Sequence, residues 1–215
     1  MPNRAFIFDM DGVLINSESA WIPFQDKFST ALFGPEIYKK IGSTVGLSID
    51  TIYEIAQKHG FNLPKADYYK IYDEQAGIIY SKAAPMMNVE VLLDFLKNNG
   101  FKIGLVSSSR QVWIDIVLDK LNIAAFFDVI ISLNNHPDLK PKPHSDGYRF
   151  AMSKMNVQAH KTIILEDSNV GIQSALDSGA HTIAYKEFLD PGYKQSVAHS
   201  QASNVQDVIT IINQL

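Results

Sequence analysis

The 215-residue chain contains no cysteine. Its absence excludes disulfide bonds, thiolate nucleophiles and cysteine-ligated zinc sites. Such a composition fits a reducing compartment, and we expect a cytoplasmic protein.

Long apolar runs and an excess of basic residues are also missing. No stretch approaches the length of about 18 apolar residues that a membrane span needs. Asp9 and Asp11 interrupt the only early apolar run, so no signal peptide is predicted. The net charge is −4 and the lysines and arginines are scattered, which gives no attraction for nucleic acid or an anionic membrane surface. The sequence indicates neither of these partners and no obligate protein partner.

What the chain does contain is a pair of acids directly after a short hydrophobic segment near its N-terminus. Residues 5–8 (AFIF) are typical of a buried strand, and Asp9, Asp11 and Gly12 follow it. Open α/β sheets place their ligand sites at such strand ends. Two carboxylates this close repel each other unless a cation, a shared proton or a positive neighbour lies between them.

The spacing of apolar residues predicts two kinds of structure. Residues from about 16 to 84 carry helical spacing with no convincing strand, whereas strand and helix patterns alternate beyond Pro85. This alternation indicates parallel strands joined by crossover helices. We therefore predict an α/β fold: a Rossmann-like parallel sheet, formed by residues 1–15 and 86–215, with helices on both faces. Residues 16–85 would form an inserted all-helical domain.

Four groups of polar residues lie at or near the ends of successive predicted elements, and parallel strands bring those ends together. The groups are Asp9 with Asp11, Ser107 with Ser108, Lys142, and Glu166 with Asp167. Alone, each has an ordinary structural explanation, such as a helix N-cap, a solvated lysine or an acidic first helical turn. Together they match the needs of a phosphate monoester site.

Each residue type has a use at such a site. Carboxylates bind Mg²⁺, a hard cation that is usually held by one or two acids and a substrate phosphate. Serine hydroxyls and backbone N–H groups at a helix start bind phosphate oxygens, and a lysine neutralises the remaining charge. An aspartate can form an aspartyl-phosphate, and a second one can act as acid and then as base.

The motifs that combine these residues resemble the haloacid dehalogenase superfamily, in particular its phosphatase and phosphomutase branch with a helical cap after the first strand. The resemblance covers roughly two thirds of the chain and rests on four segments. These are DMDGVL at residues 9–14, LVSSS at 105–109, KPKPHSDGY at 140–148, and EDSNVG at 166–171, continued by SGA at 178–180.

The resemblance implies catalytic and phosphate-binding roles for individual residues. Asp9 would be the nucleophile and a metal ligand. Asp11 would be the acid and base, with its backbone carbonyl on the metal. Ser107 would bind the substrate phosphate, with help from the N–H group of Ser108.

It also implies a charge-balancing lysine and a Mg²⁺ site. Lys142 would steady the phosphate and Asp9, although Lys140 also precedes a proline and is the alternative. Asp167 would ligate Mg²⁺, and Glu166 would either ligate it or sit just outside. The function implied is that of a Mg²⁺-dependent phosphatase acting on a small phosphorylated metabolite, such as a sugar phosphate, through an aspartyl-phosphate.

Two other functions remain open. Phosphomutases of the β-phosphoglucomutase type have a histidine ten residues after the acid/base aspartate and an arginine in the cap. Here Trp21 takes the histidine position and residues 42–48 contain no arginine, so hydrolysis is favoured. A non-catalytic phospho-ligand binding protein, comparable to receiver domains, is the second alternative. Asp11 argues against it, because that residue marks turnover of the phosphorylated aspartate.

Overall fold

The computed structural model describes residues 4–42 and 48–215. The strands are β1 (Arg4–Phe8), β2 (Ile15–Asn16), β3 (Ala84–Pro85), β4 (Phe101–Ser107), β5 (Val129–Ser132), β6 (Thr162–Glu166), β7 (His181–Tyr185) and β8 (Ser200–Ala202). The helices are α1 (Ser17–Phe33), α2 (Pro35–Ile41), α3 (Ile49–Lys58), α4 (Lys65–Lys82), α5 (Val89–Asn98), α6 (Gln111–Leu121), α7 (Asp146–Met155), α8 (Asn169–Ser178) and α9 (Val205–Gln214).

Six parallel strands form the main sheet, in the order β5-β4-β1-β6-β7-β8. The N-terminal strand β1 lies between β4 and β6. Phe8 is in register with Leu105 on β4 and Leu165 on β6. The three strands therefore end at nearly the same level, and the residues that follow them lie side by side.

Alternate residues of β1 pack into two separate apolar clusters, one on each side of the sheet. Ala5 and Ile7 join one cluster together with residues of α7 and α8. Phe6 and Phe8 join the other, which includes residues of α5, α6 and α9. Because successive side chains of a strand point to opposite faces, helices cover both faces. The predicted α/β fold with a parallel sheet is confirmed.

Helices α1 to α4 form a helical segment, Ser17–Lys82, between two short strands. β2 and β3 pair antiparallel, Ile15 with Pro85 and Asn16 with Ala84, so the chain enters and leaves the segment at one place. The expectation of no strand between residues 16 and 84 is thus wrong at its two ends. Elsewhere the segment is helical as far as it is described, and its role as a separate domain stays a prediction.

Two short elements were not expected from the sequence. Helix α2 has only seven residues between Gly34 and Gly42, too few to show a helical period. Strand β8 is a three-residue edge strand, Ser-Gln-Ala, that lacks the β-branched and aromatic residues typical of strands.

In the part of the chain that the structure describes, none of the helices combines the length and the apolar run that crossing a membrane would require.

Candidate active site

Asp9 directly follows the central strand at the level where its neighbours end. Its N–H group donates to the carbonyl oxygen of Leu165 at 3.0 Å, which continues the β1–β6 pairing by one residue. The residue is 6% exposed. Backbone pairing and burial therefore fix the Asp9 carboxylate at the end of the sheet.

Lys142 connects two carboxylates at this edge. Its Nζ atom lies 2.6 Å from Asp9 Oδ1 and 2.5 Å from Glu166 Oε1, and its side chain is 6% exposed. Lys140 is exposed, with its backbone N–H bonded to Asp146. Of the two candidate lysines, it is Lys142 that the structure brings to Asp9.

Both oxygens of Glu166 are occupied by protein donors. Oε1 accepts from Lys142 and from the hydroxyl of Tyr148 at 2.9 Å. Oε2 accepts from the N–H groups of Asp167 and Ser168 and from the Ser168 hydroxyl, at 3.0 to 3.1 Å. Glu166 is fully buried at the end of β6. With five hydrogen bonds, it orients the lysine on one side and the start of α8 on the other.

Asp167 completes a cluster of three carboxylates. Ligand atoms of Asp9, Glu166 and Asp167 all lie within 4.8 Å of one another. Asp167 Oδ1 is buried and has no hydrogen-bond partner. A buried carboxylate oxygen without a donor is costly unless it has a counter-ion. Oxygen ligands from acids suit a hard divalent cation, so the residues present fit the metal that the sequence predicts.

Two glycines leave the space that these carboxylates fill. Gly12 has a φ of +80°, and a Cβ atom there would overlap the carboxylate of Asp167. A Cβ at Gly171, in the first turn of α8, would overlap the carboxylate of Glu166. The glycines of the DxDG and EDSxxG segments are thus explained by close packing against the acids.

The charges in this cluster do not balance, since three acids face Lys142. Burial raises the pKa of Asp9 to about 8, against the opposing effect of Lys142. Burial also holds the pKa of Asp167 well above its usual range, with Glu166 and Asp9 adding to the effect. For Lys142, burial would lower the pKa, but Asp9 and Glu166 hold it well above its ordinary value. A divalent cation would favour the charged forms of the acids.

Asp11 contacts two residues that sequence reasoning missed. Its Oδ1 accepts from the hydroxyl of Tyr80 at 2.9 Å, and its Oδ2 accepts from the hydroxyl of Ser109 at 2.7 Å. Ser109 is the last residue of the LVSSS segment, whose predicted phosphate-binding roles fall on Ser107 and Ser108. Tyr80 lies in the stretch of helical spacing between residues 16 and 84, and such spacing does not reveal which residue of the sheet a side chain meets.

Ser107 and Ser108 lie at the same edge in different surroundings. Ser107 is buried at the end of β4, and its Oγ atom accepts from the N–H of Ser109 at 3.0 Å. Ser108 is exposed. Their phosphate-binding roles stay predictions.

The helical segment also reaches the sheet edge through two aspartates. Asp73 on α4 forms an ion pair with Arg110, whose Nε lies 3.0 Å from Oδ1, and it accepts from the indole N–H of Trp113 at 2.7 Å. Asp50 on α3 accepts from the side-chain amide of Asn134 at 2.7 Å. These contacts hold the segment over the end of the sheet that carries Asp9.

Known proteins share this fold and sequence pattern. The family model described as "Haloacid dehalogenase-like hydrolase" matches residues 6–185. A phosphoglycolate phosphatase of Aquifex aeolicus is 24% identical over 180 residues, covering 83% of each chain. Hexitol phosphatase B of Escherichia coli K12 is 28% identical over 173 residues, covering 78% of this chain and 77% of the relative.

A crystal structure of CbbY from Rhodobacter sphaeroides in complex with phosphate has a TM-score of 0.78, with 19% identity and 96% of each chain covered. At this identity the likeness concerns the fold. The family match spans most of the chain, including β1, β4, β6 and the residues that follow them. The chain belongs to the haloacid dehalogenase-like hydrolase family.

Proposed function

We propose that this protein is a Mg²⁺-dependent phosphatase that hydrolyses a small phosphorylated metabolite, such as a sugar phosphate, through a phosphoryl group carried on Asp9. The observation that carries the proposal is the contact of Asp9 with Lys142 beside the unpartnered Oδ1 of Asp167, with Asp11 two residues away. A nucleophile, a fixed positive charge and a carboxylate open to a cation are the parts that phosphoryl transfer needs.

In the first step, a carboxylate oxygen of Asp9 attacks phosphorus in line with the leaving oxygen. The bond between phosphorus and that oxygen breaks, and the oxygen keeps the electron pair. Asp11 gives its proton to this oxygen, so the product leaves as an alcohol. Lys142, held by Asp9 and Glu166, offsets negative charge on the transferring group.

In the second step, water attacks the phosphorus of phosphorylated Asp9. Asp11, now a carboxylate, takes the proton from the water. The acyl-phosphate bond breaks, which releases inorganic phosphate and restores the Asp9 carboxylate. Asp11 ends the cycle protonated, as it began.

Mg²⁺ would be held by Asp9, Asp167 and the backbone carbonyl of Asp11. It would supply positive charge against the carboxylates and the transferring phosphoryl group. Glu166 would stand outside the ligand set, because both of its oxygens already accept hydrogen bonds from protein donors. Ser107 and the N–H of Ser108 would bind the substrate phosphate.

The two phosphatases named among the relatives act on small phosphorylated compounds, which supports hydrolysis of a similar substrate here. For the phosphomutase alternative, Trp21 stands where a histidine would be expected, and it packs within an aromatic group that includes Tyr72 and Trp113. Residues 43–47, in the stretch compared with the mutase arginine segment, lie outside the described residues.

The test is inorganic phosphate release from a panel of sugar phosphates, phosphoglycolate and nucleotides, with and without Mg²⁺. Asp9→Asn is the matched variant, since it keeps the shape of the side chain and removes the nucleophilic carboxylate. We expect Mg²⁺-dependent release by the wild type and none by the variant, with its fold retained by circular dichroism.

Three results would contradict the proposal. Turnover retained in Asp9→Asn would exclude this residue as nucleophile. Conversion of a hexose 1-phosphate to the 6-phosphate without phosphate release would establish the mutase. Phosphate binding without turnover of any compound would favour the binding protein.

A further inference from the structure

Tyr80 brings a hydroxyl group from the helical segment to the catalytic edge of the sheet. It lies in the last turn of α4, and it is 1% exposed. Its hydroxyl donates to Asp11 Oδ1 at 2.9 Å, while Ser109 donates to Oδ2 at 2.7 Å. Each carboxylate oxygen of Asp11 therefore has one donor, one from α4 and one from the loop after β4.

The position of Tyr80 is itself fixed to the sheet domain through α6. Lys120 Nζ donates to the carbonyl oxygens of Tyr80, Ser81 and Ala83, at 2.7, 3.0 and 2.6 Å. The Tyr80 ring also packs against Trp113, with 6.2 Å between ring centroids. These contacts fix the end of α4 above the sheet edge and hold the Tyr80 hydroxyl within hydrogen-bond distance of the Asp11 carboxylate.

We propose that Tyr80 is a positioning residue for Asp11, an inference that rests on the proposed function. A carboxylate has four lone-pair sites, and the two donors use two of them. The remaining sites stay open for the proton that Asp11 gives and then takes. Asp11 must donate a proton to the leaving oxygen and later accept one from the attacking water at the same place. Its carboxylate therefore has to keep one orientation through both steps.

This role predicts a kinetic signature that a general structural role would not give. The first step needs a proton from Asp11 when the leaving group is an alcohol, but not when it is p-nitrophenolate, which leaves as a stable anion. The second step needs Asp11 as base whatever the substrate was. Loosening Asp11 should therefore slow the second step for p-nitrophenyl phosphate and spare the first.

The experiment is stopped-flow hydrolysis of p-nitrophenyl phosphate with Mg²⁺ by wild type, Tyr80→Phe and Tyr68→Phe. Tyr68 is the control because it is buried on the same helix and its hydroxyl donates to the carbonyl of Ile49 at 2.8 Å, not to Asp11. In Tyr80→Phe we expect the steady-state kcat to fall by about tenfold to a hundredfold. KM should fall with it, because the first step is spared, so that kcat/KM stays near the wild-type value.

The burst of p-nitrophenolate in Tyr80→Phe should keep its rate, so that the ratio of burst to steady-state rate rises by the same factor. Tyr68→Phe should leave this ratio as in wild type. Ser109→Ala, which removes the other donor, should give the same signature and serves as the test if Tyr80→Phe does not fold.

Equal slowing of the burst and the steady state in Tyr80→Phe would overturn the inference, because it would show a general structural defect. Unchanged or faster turnover would overturn it as well. The hydrogen bond from Tyr80 to Asp11 would then have no effect on catalysis or would slow it. A wild type that hydrolyses no compound would refute the proposed function and this inference with it. A working wild type with an unaltered Tyr80→Phe would refute this inference alone.

Discussion

The sheet edge and the helical segment contribute to the site in different ways. The edge supplies Asp9, Lys142 and Glu166, whose charged groups are buried and held by backbone pairing or several donors. The helical segment contributes Asp50 and Asp73, which are partly exposed and bonded across to core side chains. The charged groups of the sheet edge are thus fixed by the fold, whereas these two aspartates of the segment, unlike its buried Tyr80, make contacts that water can replace.

Buried ionic groups and half-exposed ones respond differently to change. Removing one partner of a buried pair leaves an uncompensated charge, whereas an exposed pair contributes little because solvent screens it. Substitutions at the sheet edge should therefore disturb stability and chemistry together. Those at the half-exposed Asp50 and Asp73 of the helical segment should act more on substrate binding.

The largest effect is expected for Lys142→Met. Loss of the ammonium leaves Asp9 and Glu166 buried without their cation, which should lower the free energy of unfolding by about 3 to 5 kcal/mol and abolish turnover. Urea unfolding and phosphate release measure the two effects. Lys140→Met is the control, since that residue is exposed and should behave as wild type. Equal losses of stability and turnover in both variants would show that the contacts of Lys142 with Asp9 and Glu166 are not the cause.

Gly12→Ala should come next, through a different cause. The added Cβ would displace the Asp167 carboxylate, so more Mg²⁺ should be needed for half-maximal activity. The control is Gly60→Ala, because Gly60 also has a positive φ, +95°, but open space at its Cβ position. It shares the backbone strain without touching the acids. A Mg²⁺ requirement that shifts alike in both variants would point to strain as the sole cause.

A smaller effect is expected in the helical segment for Asp73→Asn. The change removes the charge that pairs with Arg110, weakening one contact that holds the segment over the site. We expect KM to rise by about fivefold to tenfold, with kcat changed less. Glu74→Gln is the control, an exposed neighbour on the same helix. If kcat fell and KM stayed constant, Asp73 would act on the chemistry rather than on substrate binding.

The smallest effect concerns pH and Asp50. Partial burial would raise the pKa of Asp50, but hydrogen bonds from Lys65, Tyr69 and Asn134 hold it below its ordinary value. Its contribution to stability is therefore present above the unfolded-state pKa of about 3.9, and it is lost as the pH falls through the lower folded-state pKa.

Wild type should accordingly exceed Asp50→Asn in stability at neutral pH, and the two should converge in acid. Thermal unfolding from pH 7 downward measures this difference, with the exposed Glu54→Gln on the same helix as control. If the stability difference between wild type and Asp50→Asn grew as the pH fell, it would contradict a lowered pKa for this carboxyl group.

The sequence predicted the arrangement of the sheet edge better than the contacts of the helical segment. Strand periods and the acids after residues 8 and 165 predicted which side chains meet, because parallel strands align their ends. The choice between Lys140 and Lys142 required the path of the loop before α7. Each lysine precedes a proline, so the resemblance favoured Lys142 but left Lys140 as an alternative.

The contacts of the helical segment could not be read in this way. Helical spacing predicts helices in this segment, but it does not show that Tyr68 is fully buried while the neighbouring Tyr69 ring lies under the Arg110 guanidinium. That Tyr80 meets Asp11, 69 positions away, depends on how α4 packs against the end of the sheet. No periodicity encodes that docking geometry.

The paired two-residue strands β2 and β3 have a consequence beyond this protein. Asn16 and Ala84 are paired neighbours in this small two-stranded sheet, so the two ends of the insert lie side by side, as the two ends of a tight turn do. A turn of any size can be spliced between such neighbours without moving β1 or β4. Evolution can thus exchange the insert while the carboxylates of Asp9 and Asp11 stay where the first strand ends.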